Sequence, residues 1–425
     1  MTSMLSALRI PPSNPPALSE PIQGKQWPLL IGWWLFVAAF FIAWDKHALR
    51  ATFNLGVVLP ALICALPLLR QIRWRDPLWL SFIATLLFLG ASSLWGADAA
   101  SGQPLKALKV ALFLLALFCV PNYLARTQAL QLARMTPLLL VLAAAFALAS
   151  IGAFVYPLLA TGISISADNL LRLGGLGQQA NPLLFAGTMG CCGAVALALY
   201  YRVTETAHII ALLALANLFA LALALTLSRG PLFYFAAISA GIIAMHPRQW
   251  RRSLLLLALP ALLLVAFALS DYAQNLANAN FARPIFRSAI WSTIVEETRG
   301  HALIGQGWRK DESLQIDAGT MGHSHNFLIG TYRFAGLIGL ALFATLLGAL
   351  LYRCSRLPSA TALPLGAWLL FGIGLELSNG RFPLSAPSSD WFFFWLPAAF
   401  IHACGNPATG NNPLNCRQGS AEHPG

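Results

Sequence analysis

Long apolar runs alternate with short polar turns along almost the whole chain. Twelve such runs can be read, at about 27–44, 52–69, 77–95, 109–125, 136–156, 181–200, 208–228, 231–247, 254–270, 325–352, 359–378 and 389–403. A bilayer-crossing helix needs about 20 mostly apolar residues. In lipid the backbone must satisfy its own hydrogen bonds, so runs of this kind predict helices. The residues from His208 to Met245 are nearly continuous in hydrophobicity. Ser228-Arg229-Gly230-Pro231 divides them, with Pro231 suited to the first position of the next helix. The expected fold is all-α and polytopic, with about twelve transmembrane helices and a long, partly helical loop between helices 9 and 10. The divisions are a tail at 1–26, helices 1–9 over 27–270, the loop at 271–324, helices 10–12 over 325–403, and a tail at 404–425.

Composition sharpens that picture. Of 425 residues, 58% are hydrophobic and 10% charged, against about 25% charged in soluble domains. An ordinary soluble enzyme, a disordered chain and a disulfide scaffold are thereby excluded. The formal net charge is +12. In a chain of spans this reads as basic residues gathered in cytoplasmic loops rather than as a nucleic-acid surface. One side carries Arg70, Arg73, Arg75, Arg126, Arg134, Arg202, Arg248, Arg251, Arg252, Arg353 and Arg356. The other carries fewer, at Lys46, Arg50, Lys106, Lys109, Arg172, Arg229 and Arg381. The first side is expected to be cytoplasmic, with both termini inside and the long loop outside. Seven cysteines lie at no metal-ligand spacing and are expected to form no disulfides. The aromatic run from Trp391 to Trp395 is expected to anchor at the membrane interface.

The candidate chemistry lies on the outer face. His323-Ser324-His325-Asn326 leads into the tenth segment. With Ser324 as N-cap, His325 would sit in the first helical turn, where the positive dipole end disfavours imidazolium and leaves a neutral base. Gly336 and Gly339 would fall near the same helix face, deeper in, where another helix can approach. Arg172, Arg229 and Arg287 are placed at the outer surface, and Arg333 lies within the tenth segment. A guanidinium grips two phosphate oxygens at once. An intramembrane charge such as Arg333 marks a site by default, with pairing to Glu376 or Asp390 as the structural alternative. No metal-binding motif is present. A neutral histidine and several arginines suit a lipid-linked diphosphate donor and a hydroxyl acceptor, with direct displacement and inversion at the sugar.

His325-Asn326, nine residues, then Gly336-Leu337-Ile338-Gly339 resembles the H-[NSQ]-x9-G-x-x-[GTY] motif of the bacterial O-antigen ligase and polymerase superfamily. The Ser-Arg-Gly turn at 228–230, Arg287-x-x-x-Trp291 and Gly305-Gln306-Gly307 are similar to further marks of that family. The resemblance covers most of residues 160–345. It implies a GT-C-like glycosyltransferase of the bacterial inner membrane with its active site on the periplasmic face. The donor would be an undecaprenyl-pyrophosphate-linked O-antigen and the acceptor lipid A–core, with membrane lipids as the surroundings, no cofactor and no nucleic acid. By match of motif, His325 would be the catalytic base, and Arg229 and Arg287 would contact the pyrophosphate. Arg172 is added to that pair by its location. Arg333, Asn326, His323 and Asp390 are secondary candidates. A polymerase, a protein O-oligosaccharyltransferase and, outside the family, a flippase of lipid-linked sugars are the alternatives. The loop length and the short chain after the last apolar run favour the ligase.

Overall fold

The computed structural model describes residues 27–64, 68, 72, 74–97, 99–126, 132–161, 172–268, 286–309, 311–317 and 319–405. The tail at 1–26, the first part of the long loop, Arg70, Arg73, Lys310 and Cys416 lie outside the described residues. The helices run α1 (Trp27–Ile42), α2 (Lys46–Phe53), α3 (Leu59–Ile63), α4 (Pro77–Ala91), α5 (Gln103–Arg126), α6 (Leu132–Thr161) and α7 (Pro182–Tyr200). Then come α8 (Thr206–Leu225), α9 (Arg229–Ala244), α10 (Trp250–Ala268), α11 (Arg287–Thr298), α12 (Phe327–Ser355), α13 (Ser359–Asn379) and α14 (Leu396–Cys404). A short antiparallel hairpin, β1 (Leu314–Ile316) and β2 (Gly319–Met321), precedes α12.

The chain is a mostly helical, polytopic membrane protein. Among the described residues, seven helices are long and apolar enough to cross a bilayer by length and composition. An eighth span results if α9 and Pro247–Ala258, bent at 98° to each other, count as one. Trp27–Ile42 and Trp391–Cys404 are apolar but shorter. The structure therefore supports seven or eight of the twelve expected spans on length alone.

Local chemistry explains where several helices begin. Asp76 accepts the Leu78 N–H at 3.0 Å with Pro77 in the first turn of α4. Asn181 accepts the Leu183 N–H at 2.8 Å with Pro182 opening α7. In both, a short polar side chain satisfies an orphan donor, and proline occupies a position whose own donor would have no partner. Pro231 does not repeat this pattern. α9 already begins at Arg229, two residues earlier than the sequence suggests, because the chain turns at Thr226–Ser228.

α7 is the buried centre, packed between α8, α9 and α13. The same core has an aromatic part: Trp33 meets Phe36 and Trp391 meets Phe36 and Phe53 edge to face, and Phe82 stacks on Phe118 at 3.9 Å. Trp391 to Trp395 form a π-helical stretch that is buried throughout. The run expected at the interface is thus core, since a π-helical turn leading into α14 presents all five rings to neighbouring helices.

α12 is broken at Gly336 (φ 63°, ψ −163°). The break frees backbone groups, and residues 302–307 of the long loop satisfy them. Leu337 and Ile338 N–H donate to the carbonyls of Ala302 and Leu303, while Gln306 and Gly307 N–H donate to those of Arg333 and Phe334. Interrupted backbone at membrane depth is tolerated where protein covers it, and here the Gly-Gln-Gly segment is the cover. The expectation of a single straight helical face carrying His325, Gly336 and Gly339 is corrected accordingly. Gly336 serves this break, while Gly339 lies beside the Phe88 and Leu89 side chains of α4, a close helix approach.

Candidate active site

His325 sits just before α12 rather than in its first turn. The cap is Asn326, whose Oδ1 accepts the N–H groups of Leu328 at 2.9 Å and Ile329 at 3.2 Å. The Ser324 hydroxyl instead donates to the Asn326 carbonyl at 2.9 Å. An amide oxygen reaches two first-turn donors together, and that displaces serine from the role expected of it. His325 takes a left-handed backbone (φ 52°), uncommon for a residue with a β-carbon. Two contacts hold this segment. His323 Nδ1 accepts the His325 backbone N–H at 3.1 Å, and Trp291 Nε1 donates to the Ser324 carbonyl at 3.1 Å.

The two imidazoles lie 4.1 Å apart. Burial pushes the His323 pKa down to about 3, helped by His325 and Arg381 and opposed by its hydrogen bond to the Gly380 backbone. Burial also lowers His325; its bond to Asn379 works the other way, and Arg287 and Arg381 lower it further. The shift of His325 runs in the direction the sequence suggested, with burial rather than a helix dipole as its leading cause. His325 Nδ1 lies 3.2 Å from Asn379 Oδ1.

A cleft of about 490 Å³ opens beside His325. Arg172, Arg229 and Arg287 all line it, with Ser228, Asn379, Phe233 and Phe286. Arg229 and Arg287 are each the first residue of a helix, α9 and α11, and neither terminus has a side-chain cap. Uncapped first turns leave backbone N–H groups and the positive dipole end available, an arrangement suited to anions. Among the described residues neither arginine has a carboxylate within ion-pair distance, and no acid lines the cleft. Arg172 donates through Nε to the Thr226 carbonyl and through Nη2 to Ser228 Oγ, both at 2.8 Å. It therefore braces the turn that presents Arg229 while also facing the cleft.

The Arg287-x-x-x-Trp291 spacing is one helical turn. It sets Arg287 at the cleft and Trp291 on the histidine segment, so α11 ties the two together. A small apolar core of Ile290, Ile294 and Leu314, packed with Met321 and Ile329, seats α11 and the hairpin against α12.

The secondary candidates fall elsewhere. Arg333 is 1% exposed and outside the cleft. The pairing with Glu376 or Asp390 that the sequence offered as the alternative does not form. Arg333 donates to the carbonyls of Glu312 at 2.7 Å and Ser313 at 3.1 Å and lies 3.4 Å from Glu297. These partners lie in the folded loop, which comes within reach of α12 only through tertiary packing. Asp390 pairs with Arg381 at 3.7 Å. His323 and Asn326 shape the backbone around His325. Asn379 escapes the sequence reading, because Asn379-Gly380 after an apolar run looks like an ordinary helix stop, and Arg381 enters it only as an outer-side charge. Among the described residues, no group of three or more His, Cys, Asp or Glu side chains could hold a metal ion.

No family model matches the chain. It is 28% identical over 384 residues to an O-antigen ligase of Pseudomonas aeruginosa, an alignment spanning 89% of this chain and 91% of the relative. The resemblance to bacterial O-antigen ligases, first visible in His325-Asn326 and Gly336-x-x-Gly339, thus extends over nearly the whole chain.

Proposed function

We propose that the protein is an O-antigen ligase. It transfers a glycan from undecaprenyl pyrophosphate to a sugar hydroxyl of lipid A–core, without a metal or other cofactor. One observation carries this reading: Arg172, Arg229, Arg287 and His325, far apart in sequence, line one cleft free of acidic residues among those described. Arg229, Arg287 and the two helix N-termini hold the diphosphate and stabilise the charge that gathers on it as it leaves. Arg172 supports them. The acceptor hydroxyl gives its proton to His325 as its oxygen attacks the anomeric carbon from the side opposite the diphosphate. One carbon–oxygen bond forms, the bond to phosphate breaks with its electron pair, and the anomeric configuration inverts. The imidazolium then returns its proton to solvent.

In this reading the seven long helices are completed to twelve crossings of the inner membrane by α1, the apolar stretch 52–69, α9 and α10 as separate spans, and Trp391–Cys404. Both termini are then cytoplasmic and the cleft periplasmic, as the distribution of arginine suggests.

The test uses purified protein, undecaprenyl-pyrophosphate glycan and excess EDTA, with and without lipid A–core, for wild type and His325→Ala. A lipid A–core product that depends on His325 and survives EDTA is expected. Lengthening of the glycan on its own carrier would make the protein a polymerase. No consumption of donor would move the assignment to transport.

A further inference from the structure

We propose that Asn379 is a positioning residue for His325, fixing the imidazole tautomer so that Nε2 carries the lone pair that takes the acceptor's proton. This rests on the base role given to His325 above. Asn379 Oδ1 lies 3.2 Å from His325 Nδ1. An amide oxygen only accepts, so the proton between them belongs to Nδ1. A neutral imidazole has one N–H, and with Nδ1 protonated the basic nitrogen is Nε2. Both residues line the same cleft. The ring is thus held by Asn379 from α13, while the backbone beneath it is held by His323 and by Trp291 through Ser324.

An amide suits this position better than a carboxylate would. The charges facing His325 are Arg287 from α11, Arg381 beyond α13 with its partner Asp390, and the neutral His323 on its own segment. Arg172 and Arg229 face it across the cleft, and Glu376 is buried one turn before Asn379. A carboxylate at 379 would favour imidazolium in the resting site. It would also compete with the diphosphate for Arg287. Asn379 orients the ring without doing either. It is set at the last residue of α13, where the Gly380 N–H closes on the Glu376 carbonyl at 2.8 Å.

The experiment measures kcat, KM for the lipid-linked donor and the pH profile in wild type, His325→Ala, Asn379→Ala and Asn379→Asp. For Asn379→Ala we expect kcat to fall about tenfold, the rate equivalent of one ordinary hydrogen bond. Donor KM stays near wild type, and the acid limb moves to lower pH. Asn379→Asp keeps the shape and shifts the acid limb upward by about one to three pH units. A general packing role would lower activity in both variants without opposite shifts of that limb, and such a result overturns the proposal. Wild-type kcat and profile in both, with His325→Ala inactive, overturns it while leaving the base assignment standing. An active His325→Ala enzyme removes the base assignment itself, and the proposal with it.

Discussion

The Leu303 carbonyl occupies the space that a β-carbon on Gly336 would need, and it accepts the Ile338 N–H at 3.1 Å. Gly336 also has φ 63° with ψ −163°, a region open in practice to glycine alone. Gly336→Ala therefore combines backbone strain of about 1–3 kcal/mol with a direct overlap. We expect a lower melting temperature in detergent and loss of transfer, as residues 302–307 leave the helix break. A variant with wild-type melting and activity would show that the break is dispensable.

Arg333 binds the loop to α12 through two carbonyls, Glu312 and Ser313. Arg333→Met removes that fork, and each partly buried carbonyl left unpaired costs up to about 1–3 kcal/mol. Opening of the loop should then rise at least about tenfold, seen as faster limited proteolysis between Phe286 and Asn326. Arg333→Lys keeps the charge but not the fork, so it should restore only part of the protection. Equal proteolysis rates in wild type and Arg333→Met would assign the docking to the small apolar core around Ile290 and Ile294.

Arg229 and Arg287 should act on the donor. A charge-assisted hydrogen bond is worth about 1.5–3 kcal/mol. Arg229→Ala and Arg287→Ala are each expected to weaken donor use at least about tenfold. Acceptor KM should change little. If titrating each substrate at fixed concentrations of the other gave the reverse pattern, the cleft would hold the acceptor's charge instead.

The histidine pair predicts a pH dependence of the same sign as an ion-paired carboxylate, and opposite to that of a histidine paired with an acid. His323 and His325 are both lowered below the ordinary imidazole value, His323 to about 3. The unfolded chain therefore binds more protons than the folded one over that window, and stability falls as pH falls. Turnover should drop on an acid limb below the ordinary histidine range, as His325 becomes protonated. Melting temperature measured from about pH 7 to pH 4 should decline less steeply in His323→Gln than in wild type. Identical slopes would place the acid sensitivity elsewhere.

Much of the outline is local and so was legible in the residues. Apolar runs specify helices because in lipid no other open backbone satisfies its own hydrogen bonds. His325-Asn326 with Gly336 and Gly339 pointed to the candidate site, and Arg287-x-x-x-Trp291 marked the loop helix. The downward direction of the His325 shift was anticipated too, though from a helix dipole rather than from burial. Burial is set by what packs against a residue, and the residues next to it in sequence do not report it.

Tertiary structure alone decided the rest. Arg172 and Arg229 meet at the α8–α9 turn, Arg287 arrives on α11, and Asn379 arrives on α13. Their convergence depends on how α7, α9, α12 and α13 pack. Arg333 shows the same limit from the other side. A guanidinium inside an apolar run reads as a ligand site, yet here its donors reach carbonyls of a loop whose docking no spacing records. Gly336 belongs to both accounts. Its place in a motif was plain in the sequence, but the inserted loop backbone that requires glycine there exists only in three dimensions.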